Sequence, residues 1–175
     1  MSTTARELSP RAHEIVAAAR DLLESEGADA LTMRRLADRL GIRAPSLYKH
    51  FPDKETLETA IVAEGFEESA QVFEAAVAGD TKHPLRALAS AYRAFALEHP
   101  HLYRLMTEQP LRRDLLPRGV EERAAAPLVT AAGSADRARA VWAFAHGMTI
   151  LELNGRFPPD ADLYRAWREG VRRFE

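Results

Sequence analysis

Between Thr32 and Phe51 the apolar residues form two helical patterns of barely two turns each, separated by Gly41. Met33, Leu36, Ala37 and Leu40 mark the first pattern; Leu47, Tyr48 and Phe51 mark the second, with Pro45 near its start. Helices this short do not persist alone, because nucleation costs more than their few hydrogen bonds return. They need a longer neighbour, and one precedes them. Ser9-Pro10 combines a capping hydroxyl with a proline at the first helical position. Ile15, Ala18, Ala19, Leu22 and Leu23 then recur at the spacing of one buried helical stripe, which Gly27 ends. The residues therefore require three helices sharing one small core.

Charge gives this unit a direction. Across Arg34–Lys54 stand six cations (Arg34, Arg35, Arg39, Arg43, Lys49, Lys54) and only Asp38 and Asp53 as anions, although the whole chain is formally −2 with a pI near 6.3. An acidic protein that concentrates cations in one segment presents a phosphate-facing surface there, not a general nucleic-acid coat. A short helix, a glycine turn and a second short helix make the helix-turn-helix arrangement, whose second helix fits the major groove. Arg34 and Arg35 open the first of these helices, where backbone amides also favour a phosphate. Arg43 lies at the turn, Tyr48, Lys49 and His50 lie near the end of the second helix, and Lys54 opens a fourth.

The remaining segments also read as helices, and no alternating strand pattern is present. Asp53 caps a helix running to about Gly79 with two stripes: Leu57, Ala60 and Ile61 for the small core, and Val62, Phe66, Ala70, Phe73 and Val77 for a second. Helices are expected at 85–98, in "PHLYRLMTE", at 119–132, from Ser134 to Gly155, and in "PPDADLYRAWREGVRRF". "QPLRRDLLPRGVEE" is the least regular stretch, and its Arg112-Arg113 reads as solvated surface. The expected fold class is all-α: an N-terminal three-helix helix-turn-helix head linked by a long helix to a C-terminal helical domain. The expected boundaries are 1–54 for the DNA-binding head and 55–175 for the C-terminal domain. With no cysteine the chain has no disulfide framework or cysteine-ligated zinc. It has no bilayer-spanning apolar run, and the polar start "MSTTARELSPRAHE" is not a signal peptide, so a cytoplasmic location is expected.

"ALTMRRLADRLGIRAPSLYKHFPDKETL" resembles the DNA-binding head of the TetR family of bacterial transcriptional regulators. Thr32, Arg34, Leu36, Ala37, Gly41, Ile42, Ser46, Leu47, Tyr48, His50, Phe51 and Lys54 match the family pattern, over residues 9–60 or so. The resemblance implies phosphate contacts from Thr32, Arg34, Tyr48, His50 and Lys54. It implies base reading by Arg43, Ala44, Pro45, Ser46 and Lys49; Arg43 and Lys49 could donate to guanine, and Ala44 and Pro45 could meet a thymine methyl. Met33 and Ala44 depart from the polar residues many members carry there.

Further along, Trp142, His146, Gly147 and Leu151-Glu152-Leu153 resemble the carboxy-terminal W-x-x-x-H-G branch of the same family. That resemblance implies a homodimer through a four-helix interface, involving Val141, Ala145, Met148, Leu151, Leu153 and, on the last helix, Trp167. Two heads are then held about one DNA turn, roughly 34 Å, apart on a palindromic operator. Phe66, Phe73, Tyr92, Phe95, Tyr103, Met106, Trp142 and His146 could line a cavity for a small apolar ligand. At helical spacing such residues ordinarily fill a core, so the cavity, and with it the reading of residues 55–175 as a helical ligand-binding and dimerisation domain, is an implication of the family.

Enzymatic readings find little support. His99 and His101 flank Pro100, but only Glu98 stands near as a further metal ligand, and His146 and Glu152 are poorly spaced for a shared face. No phosphate-binding glycine loop, nucleophile elbow or dinucleotide fingerprint is present, and no cofactor or metal is expected. The expected function is a DNA-binding regulator, a repressor released from its operator by a ligand. The alternative is a helical small-molecule-binding protein or enzyme whose N-terminal helices are structural.

Overall fold

Side-chain caps set most of the helix boundaries. The structure, a computed structural model, describes residues 8–175; residues 1–7, the first half of the polar start discussed above, lie outside the described residues. α1 (Pro10–Glu26) begins where the Ser9 hydroxyl accepts from the Ala12 amide, and Gly27 leaves it at φ 84°. Thr32 caps α2 (Met33–Arg39) by accepting from the Arg35 amide at 3.2 Å. Gly41, at φ 65°, then turns the chain while Ile42 N–H reaches back to the Ala37 carbonyl at 3.0 Å. That six-to-one bond with a left-handed glycine is the Schellman termination, and it aims α3 (Ala44–Tyr48) away from α2. Asp53 caps the next helix, accepting from the Thr56 amide at 2.7 Å and its hydroxyl at 2.8 Å.

The other elements are α4 (Lys54–Gly79), α5 (Pro84–Glu98), α6 (Pro100–Thr107), α7 (Val120–Ala132), α8 (Ala135–Leu153) and α9 (Leu163–Arg172). Among the described residues there is no strand. The chain is all-α, with an N-terminal helix-turn-helix head and helices throughout its C-terminal part, as the periodicity predicts. It forms two compact units: residues up to Phe66 with His99–Glu121, and Glu67–Glu98 with Glu122–Glu175.

The core of the first unit is the three-helix arrangement required by the sequence. Ile15, Val16, Ala19, Leu22 and Leu23 of α1 bury against Leu36 and Ala37 of α2, with Leu47, Phe51, Leu57 and Ile61 also buried. α6 joins this unit by packing on α1, where Glu24 supplies the cap α6 lacks: its carboxylate accepts from the Leu102 amide at 3.0 Å. Gly65 makes room for α6: a Cβ there would stand 2.7 Å from the Met106 sulfur and 3.2 Å from a Leu102 methyl. The irregular segment after α6 closes the unit, with Leu116 and Val120 buried against Val62 and Ala63, and Phe66, Leu105, Met106 and Leu111 around them. Val62 and Phe66, expected to face the second core, thus lie in the first, because this returning segment covers them.

In the second unit α5, α8 and α9 pack on one another. Phe73 of α4 stacks on Tyr92 at 5.8 Å and meets Phe95 edge-on at 6.3 Å. Across α8 and α9 the Phe144 ring lies 5.7 Å from Trp167 and 5.9 Å from Phe174. Arg93 of α5 donates to both oxygens of Glu152 on α8, one at 2.8 Å. Arg93 is the largest cause of a Glu152 carboxyl held below the ordinary glutamate value. A depressed carboxylate stabilises the fold above its unfolded-state pKa, and that contribution disappears as pH falls through the lower folded value. Glu152→Gln is therefore expected to cost about 2 kcal/mol near neutral pH, and distinctly less below about pH 4. Urea unfolding of both proteins at the two pH values measures this; an equal cost at both would show that the charge is not what matters.

Candidate nucleic-acid interface

The helix-turn-helix surface divides cleanly into side chains used inside and side chains presented outside. Leu47 is the one buried residue of α3, at 0% exposure, and seats the helix in the core. Around it Arg43, Pro45, Ser46, Tyr48, Lys49 and His50 are exposed, Tyr48 at 47%, while Ala44 is half-buried. Thr32 and Arg34 are exposed at the start of α2, and Lys54 is partly exposed at the start of α4. All ten residues expected to meet DNA therefore lie on one three-helix unit and the helix start that follows it. The end of α3 and the two residues after it present three consecutive polar side chains, Tyr48, Lys49 and His50, beyond the buried leucine.

The cations on this surface are of two kinds. Among the described residues Arg34, Arg43 and Lys49 make no ion pair, which leaves their charge available to a phosphate or a guanine edge. Arg35 and Lys54 are tethered. Arg35 pairs with Glu26 of α1. Lys54 lies 3.3 Å from Glu58 and 3.4 Å from the Ala28 carbonyl, across the turn between α1 and α2. The spacing of Lys54 and Glu58, four residues along one helix, makes that tether legible from the sequence.

Comparison with known proteins decides the family. The family described as "Bacterial regulatory proteins, tetR family" matches residues 15–61, and "Tetracyclin repressor-like, C-terminal domain" matches residues 85–174. The uncharacterized HTH-type transcriptional regulator Rv0681 of Mycobacterium tuberculosis is 30% identical over 165 residues, covering 89% of this chain and 76% of that protein. The chain belongs to the TetR family.

Two solved structures show how far the TetR likeness extends. The regulatory protein SCO4313 superposes with a TM-score of 0.75 at 26% identity, covering 94% of each chain. A variant of TetR from Acinetobacter baumannii AYE, solved in complex with minocycline, superposes with a TM-score of 0.65 at 25% identity, covering 96% of this chain and 94% of that one. The chain is accordingly a DNA-binding transcriptional regulator with a helix-turn-helix head.

The eight residues expected around a ligand are distributed over both units of this TetR-family chain. Phe66, Tyr103 and Met106 belong to the first, where Tyr103 is buried in α6. Phe73, Tyr92, Phe95, Trp142 and His146 belong to the second and are brought together there. Phe73, Tyr92 and Phe95 form the ring cluster described above, Trp142 donates to the Tyr92 hydroxyl at 3.2 Å, and His146 lies 6.1 Å from the Trp142 ring. Of the residues expected at a dimer interface, Val141, Ala145 and Trp167 are buried within the unit, Met148 and Leu153 are half-buried, and Leu151 is 42% exposed.

Sequence reasoning missed Arg112. Expected as solvated surface, it donates through Nε and Nη2 to Asp114 at 2.9 and 2.8 Å and pairs through Nη1 with Glu55 of α4. No helical period could reveal a partner so far away along the chain. Among the described residues no three metal-ligating side chains converge.

Proposed function

We propose that this regulator acts as a homodimeric repressor in the cytoplasm, without catalytic activity, and that a small apolar ligand bound in the second unit releases it from a palindromic operator. In this reading Thr32, Arg34, Tyr48, His50 and Lys54 hold phosphates, while Arg43, Ala44, Pro45, Ser46 and Lys49 meet base edges. The observation that carries it is the head surface: Arg34, Arg43 and Lys49, without ion pairs among the described residues, beside exposed Tyr48 and His50 and seated by a fully buried Leu47. One head offers few phosphate contacts, so it gains little from counterion release and binds weakly at physiological salt. A second copy supplies the rest.

α8 favours that second copy. Ala138, Val141, Ala145 and Thr149 are its buried stripe, yet beyond the exposed Asp136–Arg139 pair of the first turns the opposite side carries Ala140, Ala143, Gly147, Ile150 and Leu151. Small residues there let a partner helix approach closely. The ring cluster around Tyr92 and Trp142 offers an apolar ligand flat surfaces and two polar atoms. To act, the ligand must bind the DNA-free state better than the DNA-bound one.

Selection from a random duplex library, followed by gel shift at two salt concentrations, tests the proposal. A recovered palindrome bound by two chains, with salt-sensitive binding abolished by Arg34→Ala and by Tyr48→Ala, is the expected result. Recovery of no common sequence would leave the head a structural element and favour the small-molecule-binding alternative.

A further inference from the structure

The start of α4 poses an electrostatic problem that its own residues do not solve. Lys54 opens the helix toward the phosphate site, but Asp53, Glu55 and Glu58 crowd the same two turns. Asp53 spends its charge on the helix itself, through the Thr56 amide and hydroxyl. Glu58 faces Lys54 at 3.3 Å. Glu55 is left, an exposed carboxylate one residue along the helix from Lys54.

Its partner comes from the segment between α6 and α7. Leu111, Leu116 and Val120 fasten that segment to Val62 and Ala63 of α4. Asp114 takes Nε and Nη2 of Arg112 in a two-pronged grip, and this leaves Nη1 pointed at Glu55. Two bonds from Asp114 fix the guanidinium plane, so the third contact is made at little further entropic cost.

We propose that Arg112 is a positioning residue for DNA binding: held by Asp114, it neutralises Glu55 and thereby keeps a carboxylate charge off the phosphate site at Lys54, without itself touching DNA. The inference rests on the DNA-binding reading above. It adds a residue outside the helix-turn-helix to the determinants of affinity, and one that acts on every sequence alike. A free carboxylate beside a bound phosphate repels it; a paired one does not.

The test uses the full chain, a selected operator duplex and an unrelated duplex. Arg112→Gln is expected to weaken both by about fivefold per head at moderate salt, with a smaller loss as salt rises. The decisive variant is Arg112→Gln with Glu55→Gln, which is expected to return both affinities to about the wild-type value, because the carboxylate beside Lys54 is gone and the net charge of the Glu55, Arg112 and Asp114 group is again that of the wild type. Circular dichroism and thermal melting of each variant accompany the titrations. If the double variant binds as weakly as the single one, Arg112 either touches DNA or merely holds the segment in place, and the proposal fails. It fails equally if Arg112→Gln binds like wild type. If the wild-type chain itself shifts neither duplex, the DNA-binding reading falls first and takes this inference with it.

Discussion

Gly170→Ala is expected to destabilise the second unit by about 2 kcal/mol, the cost of overpacking a well-filled contact. Helix propensity alone predicts the opposite sign, since alanine in a helix interior is favoured over glycine by about 1 kcal/mol. Packing wins because a Cβ at Gly170 would overlap the Phe144 ring, with Cε1 at 2.9 Å and two further ring atoms closer still. That ring cannot swing aside cheaply, since Trp167 stands edge-on to it at 5.7 Å and Phe174 stands at 5.9 Å. The conflict of signs makes the measurement informative. Urea unfolding followed by circular dichroism should show a lower midpoint with an unchanged slope. A midpoint at or above that of the parent would mean that α8 and α9 do not approach as closely as described.

A larger effect is expected from Leu47→Ala. Removing a fully buried leucine costs about 3 kcal/mol when the cavity cannot collapse. Here the side chain is the only buried residue of a five-residue helix, so the loss falls on an element with nothing else to retain it. α3 should detach and operator binding should vanish in gel shift, although no DNA-facing side chain has been altered. The second unit, whose core Leu47 does not enter, should keep its helices. Operator binding by the variant within a few-fold of wild type would show that α3 is held by something other than its leucine.

How far the sequence reveals this molecule depends on the range of the interaction. Local chemistry is legible. Ser9 and Asp53 cap the helices that the sequence assigns to them, Thr32 and Ser134 cap the helices whose patterns begin at them, and Gly27 and Gly41 end theirs with positive φ, because caps and glycine turns are decided within four residues. The outward-facing side chains of α3 are legible for a similar reason: Leu47 must point inward, so its neighbours must point outward. Assignment to a core is not. Phe66 and Phe73 lie on one helix and share its face, yet they belong to different units. Periodicity says that a residue is buried, never against what. Arg112 shows the same limit, since its contact with Glu55 exists only after the chain has returned to α4.

Trp142 and Trp167 are the two tryptophans of the chain, and both lie in the second unit, one 48% exposed and one 6% exposed. Indole emission is therefore blind to the head and carries two distinguishable signals from the rest. Quenching by iodide should reach Trp142 and spare Trp167, so a ligand entering beside Tyr92 would announce itself as a change in the accessible component alone. Emission recorded beside far-ultraviolet ellipticity would also set the melting of the second unit against that of all the helices together.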